Sequence, residues 1–553
     1  MIRLRRQCWA SAQIRTRAPA RRGLTIQAHG KDVPPQELFR YNHGRFLVNE
    51  EYEQAKRYST FDIDALCQMV AALPTVQSPI VKINKREGGY NKALMMTAEN
   101  GREVIAKIPC GNIVPREYGT ASEVAVLQFV KARSRSPVST VLAWSADQSN
   151  PVRSEYIVLE KSPGQQLTNV WDTESESNRV QLIRGFAQLE SSLATIQFPG
   201  YGALFLRHEL PSSLREDPNR TVAVDDDYCL GPLYHGSWPG GFAADPEEYS
   251  QHSGPWRTLP DLGRSLVQQG IVQVRNYKTS YAGRGPHYGA PEEHIHMLER
   301  AMKVITILAE SHTLQRHSQG VLCHPDFHPG NIFVSNEDST VIKGVIDWQF
   351  TSIMPRFTQV RWPLFLNPPE GYQTGMANPE LRPKYDREAK SHEQEQAQRQ
   401  EQAMRTKCYE AALVKSHLQS YLTLTETDVS IRQLFVGCPC TYRDGIVPLR
   451  DSLIRIQQQW NRLGLPGRCP YRFTDEEIAR HEVELREYQD WLKLGEYTYQ
   501  MLQSNDGGWV PPHVDFGKAQ AKHEKLFQHF VESKKAKMSA EDARKLWFLR
   551  DRG

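Results

Sequence analysis

Val321-Leu-Cys-His324-Pro-Asp326-Phe-His328-Pro-Gly-Asn331-Ile-Phe-Val334 is followed closely by Val341-Ile-Lys-Gly344-Val-Ile-Asp347-Trp-Gln349. Each stretch is a polar cluster bracketed by short β-like runs. That layout puts Asp326, Asn331 and Asp347 on loops at strand ends, where rigid scaffolds hold chemistry. His324 and His328 flank Asp326 at a spacing that on a helix would stack two imidazoles for a metal. Pro325, Pro329 and Gly330 forbid that helix, so His324 is expected to brace the loop by hydrogen bonding.

Upstream, Ile80 and Ile83 lead into Lys85-Arg-Glu-Gly-Gly-Tyr-Asn-Lys92, Ala93-Leu-Met-Met-Thr97, Asn100-Gly101 and Val104-Ile-Ala-Lys107-Ile-Pro109. Asn-Gly between two apolar runs signals a hairpin, with both central residues of a type I′ turn at positive φ. Three antiparallel strands are expected, then a helix over 120–131 with Val124, Leu127 and Val130 as its buried stripe. Ser139-Thr-Val-Leu-Ala-Trp144 and Tyr156-Ile-Val-Leu159 read as two more strands, and a mainly helical chain begins at Leu167.

Phosphoryl transfer from ATP needs few parts: a carboxylate near the attacking hydroxyl, oxygen ligands for Mg²⁺ and a cation on the phosphates. In the kinase arrangement the base Asp precedes a metal-binding Asn by five positions, and a second metal-binding Asp follows on the next hairpin. Asp326 to Asn331 is five, and Asp347 lies sixteen residues past Asn331, behind the apolar Val345-Ile346. Lys107, after Val104-Ile-Ala, answers to the strand lysine that grips the phosphates.

With these residues the sequence resembles the aminoglycoside phosphotransferase-like kinases, which replace H-R-D and D-F-G by H-x-D-x-x-x-x-N and I-D-W or I-D-F. Here they read His324-Pro-Asp326 through Asn331, and Ile346-Asp347-Trp348. More narrowly, Glu87-Gly-Gly-Tyr-Asn91, Ser122-Glu123-Val124, Gly231-Pro232 and Gly254-Pro-Trp256 look like the fungal mitochondrial branch called altered inheritance of mitochondria protein 9. The resemblance covers roughly residues 60 to 510. It implies an α+β, bilobal protein-kinase-like fold, with a small antiparallel β N-lobe and a large, mainly helical C-lobe. It also implies ATP and Mg²⁺ as cofactors; the acceptor is not implied by the motifs.

Residue by residue, the resemblance gives Asp326 as the base that orients the acceptor hydroxyl and Asn331 with Asp347 as the Mg²⁺ ligands. Lys107 would contact the phosphates, fixed by Glu123, although Thr120-Ala-Ser-Glu123 also spells a capping box in which the glutamate would only bond a backbone amide. Gly88 and Gly89 would let the hairpin backbone approach the phosphates without a Cβ clash. The Glu160 carbonyl and Ser162 amide, just past Leu159, would bond the adenine edge. The sequence departs from the pattern in lacking G-x-G-x-x-G, which leaves the phosphate grip to the Tyr90 and Asn91 amides.

The 553 residues are 39% hydrophobic and 24% charged, with 36 Gly and 34 Pro, a composition that excludes wholesale disorder. No apolar run reaches 18 residues, which excludes a multipass membrane protein. Residues 1–31 hold seven Arg plus Lys31 and no acid; they contribute +8 to a net charge of +4, so the rest carries −4. A mildly acidic body lacks the footprint of a nucleic-acid binder. The Arg-rich leader, without a continuous apolar stretch, fits a mitochondrial presequence and import through the organelle's machinery, which is favoured over the alternative of a disordered basic tail. Nine scattered Cys without a C-x-x-C pair indicate neither a disulfide framework nor a zinc ribbon, and Cys438-Pro-Cys440 reads as a turn.

The expected organisation is a presequence at 1–31, an N-lobe at 60–159, a helical C-lobe at 160–510 with an insert near 205–290, and a C-terminal tail at 511–553. Within it, Asp225-Asp-Asp227, Trp238 and Gly254-Pro-Trp256 mark the insert, Pro383 to Lys407 suits a solvated helix, and Thr474-Asp-Glu-Glu477 starts a capped helix. The function expected is ATP- and Mg²⁺-dependent phosphotransfer to a small hydroxylated or amino compound in mitochondria. The alternative is a non-catalytic, nucleotide-binding maintenance factor of the organelle. A protein kinase is weaker, since no A-P-E segment follows Asp347.

Overall fold

Alternation of apolar and polar residues from Ile80 to Pro109 produces three strands, and the rest of the N-lobe is assembled around them. In the computed structural model, residues 23–233, 251–276, 285–379 and 391–549 are described. The N-lobe contains β1 (Thr25–Ala28), β2 (Lys31–Asp32), β3 (Arg45–Phe46), α1 (Glu50–Arg57), α2 (Ile63–Ala71), β4 (Ile80–Glu87), β5 (Asn91–Ala98), β6 (Glu103–Pro109), α3 (Tyr118–Arg133), β7 (Val141–Ser145) and β8 (Tyr156–Glu160). Seven of these strands form one sheet in the order β2-β1-β4-β5-β6-β8-β7, antiparallel except where β1 runs parallel to β4. Ile83, Leu94, Met96 and Ala106 on one face pack against Leu66 and Val70 of α2. On the other, α3 is buried beyond the expected stripe, adding Ala125, Val126 and Phe129, because it is sandwiched between the sheet and the second lobe.

Two expectations about this lobe are corrected. Thr25–Ala28 is a strand paired to Lys82 through Lys85, so a leader ending at residue 31 would cut into the sheet, and the lobe starts 35 residues before position 60. Residues 1–22 of that leader lie outside the described residues. The β5-β6 turn is not type I′: Gly101 has φ +82° but Asn100 is not among the positive-φ residues. The Gly101 amide donates to the Ala98 carbonyl and the Ala98 amide to the Arg102 carbonyl, a three-residue loop closed by a left-handed glycine.

Residues 161–164 lead into the C-lobe. It contains β9 (Gln165–Gln166), α4 (Glu176–Ala194), β10 (Ala203–Leu206), α5 (Ser212–Glu216), β11 (Val222–Ala223), β12 (Tyr228–Gly231), α6 (Leu259–Asn276), α7 (Pro291–Glu310), α8 (His312–Gln315), β13 (Gly320–Leu322), β14 (Ile332–Val334), β15 (Ile342–Val345), β16 (Ile353–Pro355) and α9 (Arg356–Gln359). Then come α10 (Ser391–Ser416), α11 (Leu418–Glu426), α12 (Val429–Gly437), α13 (Thr441–Asp444), α14 (Ile446–Gln458), α15 (Asp475–Leu502), β17 (Trp509–Val510), α16 (Phe516–Lys534) and α17 (Ala540–Lys545). Antiparallel pairs β13-β16 and β14-β15, with β9 added beside β14, carry the Asp326–Asn331 and Asp347 loops.

The described residues of the insert contribute to the core. Strands β10, β12 and β11 form a small sheet, and Phe205, Cys229 and Trp256 pack with α6 and α7. Trp238 and Pro383 lie outside the described residues. The Gln-rich stretch is helical but only half solvated: Ala403, Thr406 and Lys407 are buried, on a helix that also sends Tyr409 and Leu413 into the core shared with α4. Thr474 and Glu477 make the capping box at the start of α15. The Lys-rich end folds back as α16 and α17, where Phe530, Trp547 and Phe548 close over Val48 of the N-lobe. Next to them β17 pairs with β3, joining the two ends of the chain.

Candidate active site

Lys107 sits in mid-strand on β6, opposite Ala93 on one side and Ile157 on the other. Its Nζ lies 2.7 Å from Glu123 Oε1 and 2.9 Å from Asp347 Oδ1, so one ammonium joins the sheet, α3 and the far hairpin. Lys107 is 8% exposed and Glu123 4%. Burial opposes the ammonium, yet the Asp347 and Glu123 carboxylates outweigh it and hold Lys107 above its ordinary range. The same ammonium holds Asp347 below the usual carboxylate range. Glu123 therefore makes the ion pair and not the capping box, since the helix begins earlier, at Tyr118, and Thr120 bonds Glu155 instead.

Asp347 adopts φ +64°, a left-handed conformation that Asp tolerates better than most residues. The turn is held from below. Trp348 is fully buried, donates its Nε1–H to the Val345 carbonyl and meets His324 edge-on at 4.7 Å. His324 donates from Nε2 to the Ile346 carbonyl at 2.9 Å and accepts the Asp326 amide at Nδ1, 3.1 Å, which ties the two loops together. This is the bracing expected of it. Burial lowers its pKa to about 4, so the imidazole is neutral and both nitrogens keep their roles.

Asn331 and Asp347 are neighbours across the hairpins, because the Ile346 amide donates to the Asn331 carbonyl at 2.9 Å. The Asn331 Nδ2 donates to the Asp326 carbonyl at 2.9 Å, an arrangement that orients its Oδ1 away from that bond. The Asp326 carboxylate is half exposed. Its Oδ2 lies 3.4 Å from His328 Nε2, and that hydrogen bond lowers its pKa. His328 in turn accepts the Gly330 amide at Nδ1, which leaves neither imidazole nitrogen idle.

At Gly88 and Gly89 neither φ is positive, and a Cβ added to either would meet nothing within 4 Å among the described residues. The packing of those residues thus gives no reason for glycine there. The Gly88 amide donates to the Asn91 carbonyl, and Arg57 Nε donates to the Gly89 carbonyl at 3.1 Å. Behind the hairpin, Glu87 is buried between Lys92 at 2.8 Å and Lys85 at 3.1 Å. These lysines point inward, and burial lowers the Lys85 pKa to about 8.

Glu160 is the last residue of β8 and not the first beyond it; its amide donates to the Thr140 carbonyl and its carboxylate accepts the Thr140 hydroxyl. Ser162 is buried, with its hydroxyl 3.1 Å from that of Ser139 and close against Gly344. Three side chains were not singled out from the sequence. Gln349 Oε1 accepts from Asn91 Nδ2 at 2.5 Å, Phe350 meets the Tyr90 ring edge-on at 5.1 Å, and Arg57 steadies Gly89. Asn91 and Gln349 are 258 positions apart, and no local pattern marks such a pair.

Residues 279–360, which contain both motif loops, match the model of the phosphotransferase enzyme family. The chain is similar to a subtelomeric hrmA-associated cluster protein of Aspergillus fumigatus, 26% identical over 445 residues, covering 73% of this chain and 84% of the relative. It is also similar to the mitochondrial altered inheritance of mitochondria protein 9 of Yarrowia lipolytica, 22% identical over 510 residues, covering 86% and 84%. Among solved structures, an aminoglycoside-3′-phosphotransferase of type VIII superposes at TM-score 0.33 with 14% identity, covering 68% of this chain and 98% of its own. A macrolide 2′-phosphotransferase from Brachybacterium faecium does so at 0.31 with 12% identity, covering 77% and 98%.

Proposed function

We propose, from a chain that carries the phosphotransferase family segment and resembles the altered inheritance of mitochondria protein 9 branch, that it is an ATP- and Mg²⁺-dependent phosphotransferase acting in mitochondria on a small hydroxylated or amino compound. The observation that carries this reading is Lys107, held between Glu123 and Asp347 beside the Asp326–Asn331 loop. The mitochondrial setting rests on the Arg-rich leader and on the names of the relatives.

The residues fit the cofactors in kind. Asn331 Oδ1 and the Asp347 carboxylate are hard oxygen donors of the sort Mg²⁺ takes, and side-chain-free backbone at Gly88 and Gly89 leaves room above the hairpin. Bound Mg²⁺ would neutralise charge on the phosphates. Lys107 would exchange Asp347 for phosphate oxygens while Glu123 keeps the ammonium aimed. The Glu160 carbonyl and Ser162 amide would meet the adenine edge. Asp326, ionised at neutral pH, would accept the proton of the acceptor hydroxyl and orient its oxygen.

A thermal-shift titration with Mg-ATP tests the binding half. Stabilisation of the native chain, weakened in Asp347→Asn, is expected. A metabolite screen for phosphate uptake tests the chemical half: Asp326→Asn should retain the nucleotide shift and lose roughly 10²–10⁴-fold in turnover. Absence of any nucleotide shift at every Mg²⁺ concentration defeats the proposal, and binding without turnover leaves a nucleotide-binding protein.

A further inference from the structure

On the C-lobe, at the far end of the two strands that carry the motif loops, lies a cavity of about 720 Å³. That is within the range of small-molecule sites, roughly 300–1,000 Å³. Its wall includes three arginines, Arg257, Arg316 and Arg356, with Thr258, Gln319 and Gln419 between them. Among the described residues no Asp or Glu lines it. Asp261, one turn into α6, is already taken by the Thr258 hydroxyl and Arg264.

The arginines differ in setting. Arg257 and Arg316 are exposed at the rim, whereas Arg356 is 8% exposed and its Nε has no hydrogen-bond partner among the described residues. A buried guanidinium facing a cavity without a carboxylate is costly unless an anion completes it. Helix α6, 18 residues long, also begins at the cavity, so its positive end adds to the field. Two observations, a buried arginine whose Nε is unpartnered among the described residues and the acid-free lining around it, thus point to an anionic ligand.

We propose that this cavity binds a small multivalent anion, held by the Arg356 guanidinium at the floor and by Arg257 and Arg316 at the rim. Phosphate and carboxylate groups each present a pair of oxygens at the spacing that the planar guanidinium fork matches. The site is distinct from the one around Lys107: none of Lys107, Asp326, Asn331 or Asp347 lines it. It is nonetheless connected. Strand β13 runs from Gly320 at the cavity to the His324 loop, and β16 returns from the Asp347 side to Arg356. An anion there would brace the end of the ribbon whose other end carries the motif loops.

The test uses the full chain, with inorganic pyrophosphate and citrate as probes in separate calorimetric titrations. The comparison is the double variant Arg257→Gln/Arg316→Gln, whose exposed positions leave folding intact and whose Mg-ATP response should match the native chain. Loss of two charge-assisted contacts should weaken binding by about tenfold or more. Pyrophosphate alone binding in this manner identifies a phosphate-bearing ligand, and both probes doing so identify any small polyanion. Pyrophosphate binding that is equal in the double variant belongs to the nucleotide site and overturns the proposal, as does no binding of either probe.

Discussion

At the scale of single residues, the chemistry of the candidate site depends on one ammonium shared by two carboxylates. Lys107 and Glu123 are out of water, so removing either leaves an uncompensated charge. Lys107→Ala should destabilise the chain by about 3–5 kcal/mol in urea denaturation, whereas Lys107→Met/Glu123→Leu should recover most of that loss. A single variant as stable as the native chain would mean that the pair is solvated. The candidate residues were legible as far as residue types and spacing could take them: five positions from Asp326 to Asn331, and an apolar pair before Asp347. The partners were not. His328 on Asp326, Gln349 on Asn91 and Phe350 on Tyr90 follow from how the loops meet, and sequence distance carries no record of it.

Hairpins and helix pairs carry the next set of consequences. Because no atom of the described residues lies within 4 Å of a Cβ at Gly88 or Gly89, the double change to Ala should leave the melting temperature unchanged or raise stability by about 0.4–1 kcal/mol. On the proposed reading the same variant should bind Mg-ATP about tenfold more weakly, since methyl groups would occupy the space above the hairpin where the phosphates would lie. A loss of stability without a change in nucleotide affinity would make these glycines ordinary turn residues.

Between α4 and α10, the Tyr409 hydroxyl donates to Glu190 Oε2 at 2.5 Å, and burial raises the Glu190 pKa to about 7 from an ordinary 4.5. A raised carboxyl pKa contributes stability that is complete below about 4.5 and is lost as pH rises through about 7. Glu190→Gln should therefore flatten the fall in stability across that window, read as melting temperature against pH. An unchanged slope would show that Glu190 is already ionised in the native state.

For the molecule as a whole, the C-terminal helices close the N-lobe and are not an appendage. Trp547, 2% exposed, packs with Phe530, Phe548 and Val48, while Trp509 Nε1 donates to the His43 carbonyl beside the β3-β17 pair. Trp547→Ala should cost about 3–5 kcal/mol in global stability, as cavities left by large aromatics do. A change of a few tenths of a kcal/mol would mean that this end of the chain docks loosely.

The amino-acid sequence alone determined the order of strands and helix from Ile80 to Leu159 and the strand-bracketed loops of Asp326, Asn331 and Asp347, because hydrophobic period and turn chemistry are local properties. It determined neither where the N-lobe begins nor what covers it, since β1 joins the sheet beside a strand more than fifty residues later and β17 pairs with β3 across most of the chain. Only the tertiary structure decided that Glu123 faces Lys107 instead of capping its own helix, that Lys85 and Lys92 turn inward to Glu87, and that three arginines line one cavity. The physical reason is common to all of these: a charged side chain takes the partner that burial leaves it, and burial is set by how the lobes pack.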